Sequence, residues 1–240
     1  MISNAEIKFV KSLSQKKFRD QSGLFIVEGE KLVAEALASP FRVEKVFRKE
    51  EIGEAAMARI SALSSPSPAL ALVHKPDDLS AAEVPAKGLF LALDGIRDPG
   101  NLGTILRIAD WFGLDGVYAS PDTVDVFNPK VVQATMGAIF RVKFHYAEIP
   151  SLCKGVLKAD GKVYGTFLDG ENLYGKELGR DPLAVIVIGN EAGGISRETA
   201  ACVSDRLYIP PYPVGDPGSE SLNAAVATAV TIAEFRRRLL

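Results

Sequence analysis

Two unbroken apolar runs, Leu89-Phe90-Leu91-Ala92-Leu93 and Ala184-Val185-Ile186-Val187-Ile188, constrain this chain more than any other feature. Neither alternates apolar with polar residues, so a strand made from either must be covered on both faces. That is the habit of parallel sheets flanked by helices. Further strand candidates at Gly116 to Ala119, Arg141 to Phe144, Lys162 to Thr166 and Leu207 to Ile209 are interleaved with helical periodicity from about Leu102 to Phe112. A last helix is expected from about Ser221 onward, burying Leu222, Val226, Val230 and Ala233 and finishing in Arg236-Arg237-Arg238. The second half therefore reads as an α/β domain on a mainly parallel sheet.

The first third has a shorter rhythm. Ile7, Val10, Leu13 and Phe18 recur at near-helical spacing with Lys8, Lys11, Lys16, Lys17 and Arg19 between them, which predicts a basic amphipathic helix or helix-loop. Strands are expected at Leu24 to Val27, Val43 to Phe47 and Leu70 to Val73, and helices at Lys31 to Ala38 and Glu51 to Leu63. The turn formers and small residues from Pro76 through Pro85 to Gly88 mark a boundary, giving a small α/β domain over 1–85 and a larger one over 86–240.

Composition removes several classes of function. With 28 Lys or Arg against 30 Asp or Glu the net charge is −2, and the split near 85 leaves 12 positive and 12 negative residues in the first part, 16 and 18 in the second. Neither part is basic overall, so any nucleic-acid surface must be local. Cys153 and Cys202 have no CxxC spacing, and a reduced, cytoplasmic setting is expected. No run of about 18 apolar residues suggests a membrane span. His74 and His145 are the only histidines, which argues against a His-rich zinc site, and no metal is expected.

Three strand ends carry the chemistry. The first reads Asp94-Gly95-Ile96-Arg97-Asp98-Pro99-Gly100-Asn101-Leu102-Gly103, with Arg107 further along the helix; Asn101 fits a helix cap as well as a ligand contact. The second, Gly189-Asn190-Glu191-Ala192-Gly193-Gly194-Ile195-Ser196, permits close backbone approach but lacks the G-x-G-x-x-G of dinucleotide sites, which disfavours a nicotinamide oxidoreductase. It also fits a turn before a helix capped by Ser196. The third is a Pro- and Gly-rich stretch from Ile209-Pro210 to Ser221-Leu222-Asn223, opening on the last helix, where Ser221 fits a cap. In open α/β sheets, ligands collect beyond the carboxyl ends of the strands, where these segments lie.

Taken together the three segments resemble the motifs of the SpoU (TrmH-like) branch of the SPOUT RNA methyltransferases, in the family's order and approximate spacing. The first part is similar, more loosely, to the small substrate-binding domain often attached to that family, through Lys17-Phe18-Arg19 and Leu24 to Gly29. The resemblance implies a deep trefoil knot in the C-terminal part and S-adenosylmethionine as cofactor. It places Gly189, Ile209, Leu222, Thr166 and Gly194 around that cofactor. It implies methyl transfer to a ribose 2′-hydroxyl of structured RNA, ribosomal RNA favoured over transfer RNA, with Arg107, Asn101, Glu191, Ser221 and Asn223 as the catalytic set. It also implies a homodimer through the knotted domain; Trp111 and Phe112 fit either core or interface. Where many relatives have Arg-x-Ser-x-Gly, this chain has Gln133-Ala134-Thr135-Met136-Gly137, one positive charge fewer on the expected RNA path.

Lys8, Lys11, Lys16, Lys17 and Arg19 are the expected RNA-contacting residues, a stretch that also fits a solvated helix face. Arg236 to Arg238 fits a helix C-terminus better than RNA. No DNA or membrane partner is expected. The competing reading is a noncatalytic RNA-binding or ribosome-assembly factor on the same fold, against which the intact Asn101, Arg107, Glu191, Ser221 and Asn223 argue.

Overall fold

The structure is a computed structural model, and it describes residues 2–77, 79–80, 84–213 and 220–239. The chain forms two compact units, one of Met1–Asp78 with Asp125–Arg141 and the other of Leu79–Val124 with Val142–Leu240. The first unit thus ends earlier than residue 85 and takes in a segment from the middle of the chain.

In the first unit, α1 (Asn4–Ser12) and α2 (Lys16–Ser22) occupy the stretch expected as a helix or helix-loop, and α2 ends at Gly23 in the left-handed region. They are followed by β1 (Leu24–Glu28), α3 (Glu30–Ala38), β2 (Val43–Arg48), α4 (Lys49–Ile52), α5 (Glu54–Ile60) and β3 (Ala69–His74). The strands form an antiparallel sheet in the order β1-β3-β2. Ile7, Val10, Leu13, Ile26, Phe47, Met57, Ile60 and Leu72 form one apolar core, which explains the helical spacing of α1. The segment Asp125–Arg141 is held here by named contacts. Asp125 pairs with Arg19, and the Phe127 ring lies 4.6 Å from that of Phe25. Arg141 pairs with Glu35, and α7 (Pro129–Thr135) lies against β1.

The second unit contains β4 (Gly88–Asp94), α6 (Pro99–Trp111), β5 (Gly116–Ala119), β6 (Phe144–Tyr146), α8 (Ile149–Lys158), β7 (Lys162–Asn172), β8 (Leu183–Gly189), α9 (Arg197–Ala200), β9 (Asp205–Tyr208) and α10 (Ala224–Arg237). Its six strands run in the order β6-β5-β4-β8-β7-β9, and every neighbouring pair is parallel. β8 is buried along its whole length, as its unbroken apolar run requires. From β4 the chain moves outward through β5 and β6, then returns to the other side of β4. The order therefore reverses between β4 and β8, where Asp94 and Gly189 are in register. Crevices at such reversals are where open α/β sheets bind ligands.

Two expectations need correction. The strand expected at Arg141 to Phe144 lies at Phe144–Tyr146, because Ala138–Phe140 forms a 3-10 turn. The last helix starts at Ala224, not Ser221, and buries Ala224, Ala225, Thr228, Thr231, Ile232 and Phe235. Leu222 and Val226 are each 49% exposed, while Val230 and Ala233 are only partly buried. Thr228 can face inward because its hydroxyl donates to the Ala224 carbonyl at 2.7 Å. The arginine run is tied off within the unit: Arg236 donates to the Phe112 and Gly113 carbonyls at the end of α6, and Arg237 and Arg238 pair with Glu234. Residues 214–219 of the Pro-rich stretch before α10 lie outside the described residues.

Candidate active site

At the reversal between β4 and β8, three chain segments are bound together by side chains. Asp98, not Asn101, caps α6: its Oδ1 accepts from the Asn101 backbone N–H at 2.8 Å, and Pro99 follows in the first turn. This leaves the Asn101 side chain free for longer-range work. Its Nδ2 donates to Glu191 Oε1 at 2.8 Å, and its Oδ1 accepts from Asn223 Nδ2 at 2.8 Å. Asn223 in turn is the N-cap of α10, its Oδ1 accepting from the N–H groups of Ala225 and Val226. The result is a polar relay running from the positive end of α10 through two amides to a carboxylate, with donors and acceptors in one consistent direction.

Glu191 also accepts from the backbone N–H groups of Arg97 and Asp98, at 3.4 and 3.3 Å. Burial pushes its carboxyl pKa up, but the hydrogen bond from Asn101 and the backbone N–H groups outweigh that and hold it below the ordinary value. The loop carrying Glu191 is itself closed. Asn190 and Gly194 exchange two backbone hydrogen bonds of 2.9 Å, while Asn190 Oδ1 accepts from the N–H groups of Ala192 and Gly193. Asn190 Nδ2 then reaches the Gly95 carbonyl at 2.6 Å, and Asp94 accepts from the Ser196 N–H at 2.8 Å. Ser196 also caps α9, so the capped-turn reading and the site reading both describe this loop.

These ties surround a cavity of about 420 Å³, within the range of ordinary small-ligand sites. It is lined by all five expected cofactor positions, Thr166, Gly189, Gly194, Ile209 and Leu222, and by Glu191 and Ser221. Gly189 cannot be replaced freely, since a Cβ there would lie 2.2 Å from the backbone of Gly194 and Ile195. Spacing gave no warning of Phe167 and Leu168, which also line the cavity. They come to it because β7 pairs with β9 through Thr166 and resumes only at Glu171, leaving the intervening residues bulged.

Arg107 stands apart from this group. It is exposed on α6, does not line the cavity, and takes no part in the relay. Four residues further along the same helix, Trp111 is 84% exposed. Among the described residues there is no cluster of His, Cys, Asp or Glu able to hold a metal. Both cysteines are free and buried, and burial pushes the Cys153 thiol up to about 12, far from a reactive thiolate.

The basic stretch in the first unit divides. Lys8, Lys11, Lys16 and Lys17 are exposed, with Lys16 paired to Asp20. Arg19 is 1% exposed and is not an RNA contact. Its Nε and Nη2 donate to Asp125 Oδ2 at 3.0 and 2.6 Å, and its Nη1 donates to the Leu13 and Ser14 carbonyls at the end of α1. The guanidinium closes a helix terminus and anchors a distant segment. The far partner, Asp125, is what the local pattern could not reveal.

Known proteins resemble both parts of the chain. The SpoU rRNA Methylase family is matched over residues 88–233, and the MRM3-like substrate binding domain over residues 4–65. The Bacillus subtilis (strain 168) 23S rRNA (guanosine(2553)-2'-O)-methyltransferase RlmP is 34% identical over 249 residues, covering 97% of this chain and 96% of the relative. The Danio rerio mitochondrial rRNA methyltransferase 3A is 28% identical, covering 94% of this chain and 66% of its own length. Among solved structures, an AdoMet-bound rRNA methyltransferase from Sinorhizobium meliloti superposes with a TM-score of 0.88 at 28% identity, covering 100% of this chain and 97% of the other.

Proposed function

Because the chain belongs to the SpoU rRNA methylase family, we propose that it transfers a methyl group from S-adenosylmethionine to a ribose 2′-hydroxyl of RNA, with ribosomal RNA as the substrate class. The observation that carries this reading is the convergence of Thr166, Gly189, Gly194, Ile209 and Leu222 on one cavity whose rim is held by the Glu191–Asn101–Asn223 relay. The cavity fits the cofactor: it is lined by strand-end residues, and the absence of a Cβ at Gly189 lets that strand end pass against the backbone of Gly194 and Ile195, which also line it. The cofactor supplies an electrophilic methyl group on a cationic sulfur. Glu191 adds a negative charge suited to that cation. The gathering of 166–168, 188–195, 207–209, 221–222 and 224 around one cavity supports the C-terminal knot as part of the same reading.

A ribose hydroxyl is a weak nucleophile near neutral pH, so positioning and electrostatics must supply much of the rate. A guanidinium offers five N–H donors in a planar fork and no acceptor, which suits Arg107 to holding anionic oxygens rather than to taking up a proton. We assign its guanidinium to orienting the RNA phosphate and stabilising negative charge on the attacking oxygen, the proton leaving to phosphate or water. Lys8, Lys11 and Lys17 are assigned to RNA phosphates in the first unit. The face of α6 that bears Arg107 and Trp111 is assigned to a homodimer contact. Sedimentation at micromolar concentration checks the last point, a monomer contradicting it.

Incubation with methyl-labelled S-adenosylmethionine and separate pools of unmodified ribosomal and transfer RNA tests the reaction. Label mapped to a ribose 2′-oxygen of ribosomal RNA is expected. Tight cofactor binding with no labelling of either pool would favour the noncatalytic RNA-binding reading.

A further inference from the structure

A second cavity, of about 290 Å³, lies wholly within the first unit, between the end of β1, the segment after α5, and α7. At that size, near the lower end of small-ligand sites, it suits a single base better than a whole cofactor. Its walls include Ile26, Leu63 and Val132, and its polar groups are Glu28, Lys130 and Gln133. Gln133 and Ala134 belong to the segment where this chain departs from the Arg-x-Ser-x-Gly pattern.

Glu28 is the telling residue. It is 5% exposed, and among the described residues no Lys, Arg or His forms an ion pair with it. Its Oε1 accepts from the Ser61 hydroxyl and its Oε2 from the Ala62 N–H at 3.0 Å. A carboxylate has about four lone-pair sites, so each oxygen keeps capacity for another donor. Burying such a group beside an apolar cavity is costly unless those sites are used. The ligand that fits is flat, presents two neighbouring N–H donors, and carries an acceptor within reach of an amide or ammonium group. The Watson–Crick edge of guanine has these features: N1–H and N2–H for the carboxylate, O6 for Gln133 or Lys130. Adenine and cytosine present an amino group beside an acceptor, which would face the carboxylate with like charge. RNA recognition commonly uses unstacked bases read on this edge between apolar or aromatic walls.

We propose that this cavity binds an unstacked guanine of the RNA substrate, with Glu28 as the residue that selects it. The inference rests on the RNA reading above and adds a base-selective site away from the methyl-transfer cavity. The test uses the whole protein with carbon-13 methyl labels on Ile, Leu, Val and Ala, titrated with GMP, AMP and the RNA pentanucleotides UUGUU and UUAUU. UUGUU is expected to move the methyl signals of Ile26, Leu63 and Val132 in a saturable way. GMP should do the same more weakly, and the adenine ligands should need about tenfold higher concentration or more, the size of one lost bidentate contact. Ala134→Trp, which fills the cavity from a half-exposed helix position, should abolish the shifts while leaving S-adenosylmethionine affinity unchanged. Glu28→Gln should erase the preference for guanine. Equal responses to guanine and adenine, or none at these methyl groups, overturn the site; GMP binding as tightly as UUGUU overturns RNA as the source. The readout needs no methyl transfer. Guanine-dependent shifts without RNA methylation would therefore keep this site and reject the proposed reaction, and methylation without such shifts would do the reverse.

Discussion

The basic stretch from Lys8 to Arg19 and the three strand-end loops of the second unit offer the same kind of sequence evidence, several polar residues in a suggestive pattern. They fold in opposite ways. Residues adjacent in the chain diverge: Lys8, Lys11 and Lys17 turn to solvent, Lys16 pairs with Asp20, and Arg19 turns inward to Asp125. Residues separated by 90 and 122 positions converge, Asn101 meeting Glu191 on one side and Asn223 on the other. A site is therefore better argued from groups that several elements must bring together than from a run of like residues on one. A run can be divided by the needs of helix ends and packing, as Arg19 is.

That contrast is open to attack at several points. Arg19→Ala would leave the Asp125 carboxylate and the Leu13 and Ser14 carbonyls just past α1 without their partner, and is expected to lower unfolding free energy by about 3–5 kcal/mol in urea titration. A loss within about 0.5 kcal/mol, the usual size of a surface change, would return Arg19 to the RNA surface. Arg107→Lys keeps the charge but removes the planar fork, and should lower kcat by about 100-fold with cofactor affinity unchanged. Near-full activity would show that the fork is not used. Gly189→Ala forces a Cβ against the backbone of Gly194 and Ile195. It should cost about 1–3 kcal/mol of stability, measured by thermal unfolding, and weaken S-adenosylmethionine binding.

The smallest expected effect is a pH dependence. Glu191 is held below its ordinary value of 4.5, so its contribution to stability is fully present above about that pH and is lost as pH falls through the lowered folded value. Stability against pH should therefore fall less steeply for Glu191→Gln than for the parent on the acid side. Superimposable acid limbs would mean the carboxylate is not held by the relay.

Much of the second unit was legible in advance because its strands are buried on both faces, and an unbroken apolar run has few other uses. The cavity positions were legible through the resemblance to the SpoU motifs, which the glycine- and proline-rich strand ends carry; the glycines alone fitted a capped turn equally well. Three things were not. The bulge that brings Phe167 and Leu168 to the cavity depends on pairing between β7 and β9, which no local pattern encodes. The outward turn of Leu222 and Val226 was hidden because an equally apolar neighbouring face, with Thr228 bonded back to its own helix, does the packing. The attachment of Asp125–Arg141 to the first unit turns on single long-range contacts, the Arg19–Asp125 pair foremost. The cap of α6 was readable: an Asp followed by Pro is a stronger helix-start signal than Asn101 three residues later.

The claim that convergence builds the site is tested most directly by a double-mutant cycle on Asn101→Ala and Asn223→Ala, with S-adenosylmethionine dissociation constants from calorimetry. Neither residue lines the cavity, so effects transmitted separately would simply add. If the relay acts as one unit, the first substitution already breaks it and the second costs less than it does alone, a coupling of about 0.5–3 kcal/mol. Additivity within about 0.3 kcal/mol would show that the two amides act independently, and would contradict the account.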